Sequence, residues 1–292
     1  MLENVNHVLL TRFNVPSSGY ESVVRARDGW LRNRVSLFEQ YCLPSVRSQL
    51  DKNFQWIIYF DPESPPWMKE RIRDLNRDDL FIPIYRTEVL KIHLICDLRA
   101  TVGTEAGYLL TTNLDNDDGL AADFTARLRS MQAPDRTTAV YMPQGLIRSG
   151  GAVYRRTDPK NAFCSVIAPW PVAETCWAEW HNQLGRSMPV VYLDGPPAWL
   201  QVIHGSNVSN RIHGTRVSPA RFSDSFPRLL EDLVEPTTAQ LLADRAVGFP
   251  LRLVRDAGRM AAKAAVQSIL GRHGIDKVKA AAASWRTIPP NS

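Results

Sequence analysis

Cysteine is scarce in this 292-residue chain, and the four present, Cys42, Cys96, Cys164 and Cys176, stand in apolar surroundings with no CxxC spacing. That excludes paired-thiolate zinc sites and a disulfide framework, and predicts reduced core thiols. Long apolar runs are missing as well: none approaches the roughly 18 residues that a membrane span needs. No basic stretch leading into an apolar run and a small-residue cleavage site is visible, so the expected location is the cytoplasm. In that compartment the sequon Asn207-Val208-Ser209 has no use. GxSxG, HExxH and a phosphate-cradling P-loop are absent too, which leaves little support for a nucleophile mechanism. There is no internal repeat.

What is present is an ordinary enzyme composition. Hydrophobic residues make up 44% and charged residues 22%, with eight tryptophans, so a packed fold with a full core is expected. The formal charge of +5 is unevenly placed. From Arg245 to Arg286 nine Lys/Arg face Asp256 and Asp276, a balance of 9 − 2 = +7, which leaves 5 − 7 = −2 for the rest. A near-neutral body suits a diffusible substrate and argues against a nucleic-acid-binding face.

Short β-rich runs alternate with helical stretches over the first two thirds, the pattern of an α/β sheet with covering helices. Strands are expected at 8–13, 56–60, 81–85 and 108–114, and helices at 28–50 (with a kink at Pro44), 66–75, 90–98 and 121–131. Shorter β-like pieces follow at 139–142, 146–155, 164–168, 190–193 and 199–204, separated by Gly and Pro, as in antiparallel strands. From about Phe222 the chain reads as helical, apart from loops near Pro236 and Pro250. Leu251, Val254, Ala261, Ala265 and Ile269 hold one face and Arg252, Arg255, Arg259 and Lys263 a neighbouring one, an amphipathic basic helix. The expected organisation is a catalytic domain over 1–221 and a helical extension over 222–292.

The most informative segment is Asn113-Leu114-Asp115-Asn116-Asp117-Asp118-Gly119, just past an apolar strand. Three carboxylates within four positions repel one another unless water or a cation spreads their charge. Oxygen ligands select hard ions such as Mg²⁺ or Mn²⁺, which complete their shells with water and substrate phosphates. Ligands of open α/β sheets also bind beyond the carboxyl ends of the strands. The bland alternative is that Asp117 or Asp118 caps the helix expected near Ala121. A calcium EF-hand is excluded, because counted from Asp115 the glycine falls at position five and Ala126 stands where a Glu is required.

The strand followed by Asp-Asn-Asp-Asp resembles the DxD element of A-type glycosyltransferases. The wider set WLRNRVSLFEQYCLPSV, FQWIIYFD, TTNLDNDDGL and WLQVIHGSNVSN, in this order, resembles the rhamnosyltransferase family of bacteria, over about Val8 to Arg211. The resemblance implies a Rossmann-related mixed sheet with flanking helices and transfer of a sugar from a nucleoside diphosphate sugar to a glycan or lipid-linked acceptor. It implies a metal bridging the diphosphate, with Asp115, Asp117 and a late histidine, His204, as ligands. Asp115 and Asn116, with Asp61 at the end of the second strand and Asn207 and Asn210 after His204, are the candidate donor-binding residues. Asp61 reads equally well as an Asp-Pro turn starter, and His204 as a structural histidine. Cationic help for the departing diphosphate is expected from Arg12, Arg148, Arg155 or Arg211. If the reaction inverts the anomeric centre, a base must take the acceptor proton, and Asp194 and Glu174 are the loop carboxylates on offer.

The sequence is also compatible with two other classes. A metal-dependent phosphohydrolase or nuclease would use the same acids, although two-metal sites draw carboxylates from several strands. A non-enzymatic protein would act through the basic C-terminal helix, either packed on its own domain or held on anionic lipid.

Overall fold

The computed structural model describes residues 2–16, 29–204 and 211–259. Its elements are β1 (Val5–Arg12), α1 (Trp30–Leu37), a π-helical turn (Phe38–Cys42), α2 (Leu43–Arg47), β2 (Gln55–Phe60), α3 (Pro66–Leu75), β3 (Ile82–Tyr85), α4 (Lys91–Val102) and β4 (Tyr108–Asn113). Then come β5 (Gly119–Leu120), α5 (Phe124–Arg129), β6 (Thr138–Tyr141), β7 (Gln144–Ser149), β8 (Ala152–Thr157), β9 (Ser165–Pro169), β10 (Val190–Tyr192), β11 (Trp199–Ile203), β12 (Thr215–Val217) and α6 (Thr238–Ala243). Helical structure continues over 249–259.

Two mixed sheets result. The larger runs β10-β6-β9-β4-β1-β2-β3, and the smaller β12-β8-β7-β11-β5. In the larger sheet β9 is antiparallel to β4 and β6, and every other pairing is parallel. Its central strands are continuous apolar runs because both faces are covered. Leu9, Trp56, Ile58, Phe60 and Leu110 pack on one face, and Val8, Leu10, Ile57, Tyr59 and Leu109 on the other. Each such side chain contributes roughly 1.5–3 kcal/mol when fully buried.

The helix expected over 28–50 is interrupted by the π turn, where the Leu43 amide donates to the Phe38 carbonyl. That wider turn falls where the Pro44 ring would otherwise meet the carbonyl four residues earlier. The single β-like piece expected over 146–155 is a hairpin instead, since Gly150 and Gly151 (φ 55° and 78°) turn the chain back between β7 and β8. The helical reading from Phe222 onward holds only from Thr238, past the loop expected near Pro236, and the loop expected near Pro250 is helix instead. Before Thr238, turns bury Phe226, Leu229 and Leu230 against Leu146, Leu200 and Val202 of the smaller sheet. The remainder of the expected basic helix, with Ala261, Lys263, Ala265 and Ile269, lies outside the described residues. Among the described residues no helix is long and apolar enough to cross a membrane.

The acidic loop joins the two sheets. β4 ends at Asn113, and β5 pairs antiparallel with β11 through Leu120 and Trp199. β1, β2 and β4 run parallel, so Arg12, Asp61 and Asn113 emerge on one edge of the larger sheet.

Candidate active site

The loop is held from three sides. Asn116 donates to the carbonyls of Arg12 (3.0 Å) and Phe13 (2.8 Å) and accepts from Arg34 (3.1 Å), which fixes the loop to the end of β1. Its amide is therefore a structural tie, although the sequence suggested a donor contact. Asp118 caps no helix: α5 starts only at Phe124, and the buried Asp118 accepts from the Val202 amide of β11 at 2.8 Å. Asp117 sits between two partners, His204 Nε2 at 2.8 Å and Arg34, whose guanidinium makes a very short contact with the same Oδ2 atom.

The three acids differ in proton affinity, which relieves the repulsion that so tight a cluster implies. Burial alone would raise Asp117, but the His204 hydrogen bond and the Arg34 charge outweigh it and hold this carboxyl below its usual range. Asp118 is pushed well above that range, first by burial and then by the charges of Asp117 and Asp115. Asp115 is raised to about 6, by the protein packed around it and then by Asp117, with Arg34 and Arg12 opposing. Its side chain still reaches solvent, and that contact with water moderates the first of these causes.

Asp115 opens onto a hollow of about 340 Å³ lined also by Arg156, Asp158, His181, Trp199, Gln201 and His213. Its floor is a stacked pair, Phe163 on Trp199, with ring centroids 5.1 Å apart and an interplanar angle of 10°. Arg211 lines it too, as one of the cations expected from sequence. Arg155 does not: the strand period of two gives the hollow to its neighbour Arg156, and Arg155 is exposed. Arg12 lies over the Trp177 ring at 4.0 Å, and Trp177 in turn donates to Asn113 at 2.7 Å.

Other expected site residues are placed elsewhere. Arg148 is buried and bonded to Asp232 and to the Leu229 carbonyl, so it clamps the chain after residue 222 to β7. Asp61 accepts from the Glu63 amide at 2.9 Å, the turn-starting role, at the end of β2. Glu174 pairs with Lys91 at 2.7 Å and lines a different hollow with Asp135, Arg136 and Met188. Asp194 is exposed beyond β10, which β6 and β9 separate from β4. Asn207 and Asn210 lie outside the described residues. Arg34, which carries the cluster's charge balance, was not singled out as a site residue. Its one sequence signal is its place within WLRNRV.

Asp115, Asp117 and His204 offer two oxygens and an imidazole nitrogen, a donor set that suits Mn²⁺ or Mg²⁺ in kind. Among the described residues, no three or more His, Cys, Asp or Glu side chains form a metal-holding group.

Two joined mixed sheets, with an acidic loop and a cation-lined hollow at the strand ends, define a mixed α/β fold whose candidate site lies where the sheets meet. The chain belongs to the family described as "putative rhamnosyl transferase", whose model matches residues 6–216. No curated protein matches it. Among solved structures it is similar to the mannosyltransferase PcManGT from Pyrobaculum calidifontis in complex with GDP-Man and Mn²⁺: 13% identity, 98% of this chain and 81% of that one, TM-score 0.42. It is also similar to TarS 1-349 of S. aureus: 9% identity, 68% of this chain, TM-score 0.37. The chain spans only 60% of that TarS fragment. A third is the inositol-1-phosphate CTP transferase from T. maritima: 10% identity, 80% of this chain and all of that one, TM-score 0.37. Likeness this distant transfers no residue roles.

Proposed function

We propose that this chain transfers a sugar, rhamnose by its family label, from a nucleoside diphosphate sugar to a glycan or lipid-linked acceptor, with a divalent ion at the acidic loop. The observation that carries the reading is the meeting of His204 and Arg34 on the single carboxylate of Asp117, beside Asp115 at the mouth of the hollow. Asp115, Asp117 and His204 would hold Mn²⁺ or Mg²⁺, whose chemistry there is to neutralise charge on the departing diphosphate. Diphosphate oxygens and water would fill the coordination positions that the chain leaves open.

Arg34 and Arg12 supply fixed positive charge from the chain itself. The buried Nε of Arg34 has no hydrogen-bond partner among the described residues, and a donor oxygen would satisfy it. The hollow takes the transferred sugar and the reacting end of the acceptor, with the Phe163–Trp199 pair as its apolar floor. For an inverting reaction the base must reach that hollow, which moves the role from Asp194 and Glu174 to His213. Nδ1 of His213 lies 2.9 Å from Asp256, which leaves Nε2 to take the acceptor proton.

The test is a screen of nucleotide-sugar turnover with and without Mn²⁺, comparing the native chain with Asp117→Ala. Turnover that needs the ion and is lost in the variant supports the reading. No turnover of any nucleotide sugar, or metal-independent turnover that survives the substitution, sinks it.

A further inference from the structure

The helical segment after α6 presents its faces the opposite way round from an ordinary surface helix. Its half-buried positions are polar or small: Asp244, Gly248, Arg252 and Asp256, with Phe249 the one aromatic among them. Arg252 donates to the Gly214 carbonyl (2.9 Å) and to Asp244 (2.8 Å), and its guanidinium lies 5.0 Å from the Tyr154 ring centroid. Asp244 also accepts from the Arg216 amide at 2.8 Å, and Asp256 pairs with His213 at 2.9 Å. Gly248 is what lets the first pair form, since a Cβ there would stand 2.7 Å from the Asp244 carboxylate.

The apolar residues face outward. Val247, Leu251 and Val254 follow steps of four and three along one stripe and are 58%, 57% and 70% exposed. Arg245, Arg255 and Arg259 are exposed on the same segment, and none of the three has an acidic partner among the described residues. A helix that fixes itself to its domain by a polar face leaves its apolar stripe to something outside the domain. The flanking arginines specify the charge of that partner: it is anionic.

We infer that residues 244–259 dock the protein in the plane of an anionic lipid surface, with Val247, Leu251 and Val254 entering the headgroup boundary and Arg245, Arg255 and Arg259 reaching lipid phosphates. Apolar burial and charge attraction together give such helices their affinity. The ties through His213 and Gly214 place the docked helix against the wall of the hollow beside Asp115. A membrane-borne acceptor would then arrive at the site's own edge.

The experiment is flotation of the full chain with phosphatidylcholine vesicles, with and without about one third phosphatidylglycerol. Native protein is expected to float with the anionic vesicles only, and less so as salt is raised. Leu251→Asp with Val254→Asp is expected to abolish flotation while the thermal transition stays in place, because both side chains are exposed. Arg255→Gln with Arg259→Gln is expected to weaken partition about 25-fold, two steps of roughly fivefold each. No flotation of the native chain, or undiminished flotation of the double Asp variant, overturns the inference. So does sedimentation showing a native dimer that the Asp variant dissociates, with no vesicle binding, since the stripe would then meet a second copy. None of these results depends on turnover, so the docking can fail while the transferase reading stands, and the reverse.

Discussion

His204 Nε2 lies 2.8 Å from the Oδ2 atom of Asp117, so the end of β11 and the loop after β4, 87 residues apart in sequence, converge on one carboxylate. Arg34 from α1 reaches the same oxygen. Three separate elements thus define one point, which is where a divalent ion and a diphosphate are expected. Binding at that point should register as stability. With ion and nucleoside diphosphate at about a hundred times their dissociation constant, unfolding should cost about 2.7 kcal/mol more. Chelation should reverse the gain and Asp117→Asn should abolish it, both read by thermal denaturation with and without Mn²⁺. A full gain retained in Asp117→Asn would move the ion elsewhere.

Arg34→Met tests the charge balance directly. Removing the partner of a buried carboxylate typically costs 3–5 kcal/mol, and Asp117 is 9% exposed at its side chain. The loss should be largest in chelator, and Mn²⁺ should recover part of it by supplying the missing positive charge. Equal losses with and without the ion would show that Arg34 acts only through packing.

The acidic loop was legible because three acids after an apolar strand have few structural uses, and the strands because burial on both faces leaves continuous apolar runs. The partners were not legible. Arg34 is one arginine among many in the sequence, and only the fold of α1 across the strand ends brings it to Asp117. Arg155 and Arg156 are indistinguishable in composition, and the register of the β7–β8 hairpin decides which one faces the hollow. The turns around Phe226 were mistaken for helix because their apolar spacing reflects burial against the smaller sheet. Glu174 and Asp194 looked available as bases because sequence shows that a carboxylate lies in a loop, but not which end of the sheet the loop serves.

His213→Asn should lower kcat by about 10² to 10⁴, the range for loss of a general base, with the donor KM little changed. Asp256→Asn, which keeps the ring but removes its charged partner, should cost less. Steady-state kinetics on the best donor from the screen reads both. If His213→Asn leaves kcat unchanged, the base is another group or the reaction retains configuration.

His7 sets an acid limit on stability. Burial first, and the Arg129 charge second, lower its pKa from 6.5 to about 3. The unfolded chain therefore takes up a proton below pH 6.5 that the folded chain refuses until near pH 3. The stabilising contribution of neutral His7 is complete above pH 6.5 and is lost at up to about 1.4 kcal/mol per pH unit as pH falls. At pH 5 the loss should be about 2 kcal/mol. His7→Leu should flatten that part of the urea-denaturation profile, since Thr112 and Ser165 keep their own 2.7 Å hydrogen bond. An unchanged slope in the variant would assign the acid sensitivity to other groups.

Gly145 supports the floor of the hollow by what it lacks. A Cβ there would stand 2.1 Å from the Trp199 ring, far inside contact distance. That ring has nowhere to go: it is 1% exposed, stacked on Phe163, and its Nε1 donates to the Met142 carbonyl at 2.9 Å. Gly145→Ala must therefore either push β7 from β11 or break both the stack and the hydrogen bond. Overpacking of this kind costs about 1–3 kcal/mol and occasionally more, and the upper end is expected here. Because the clash is with one side chain, Trp199→Leu in the same chain should cost less than the two single losses added together, a coupling that double-mutant analysis of urea denaturation measures. Strict additivity would mean that the glycine serves the backbone of β7 and not the aromatic floor. In that case the hollow's shape would have to be set by Phe163 alone.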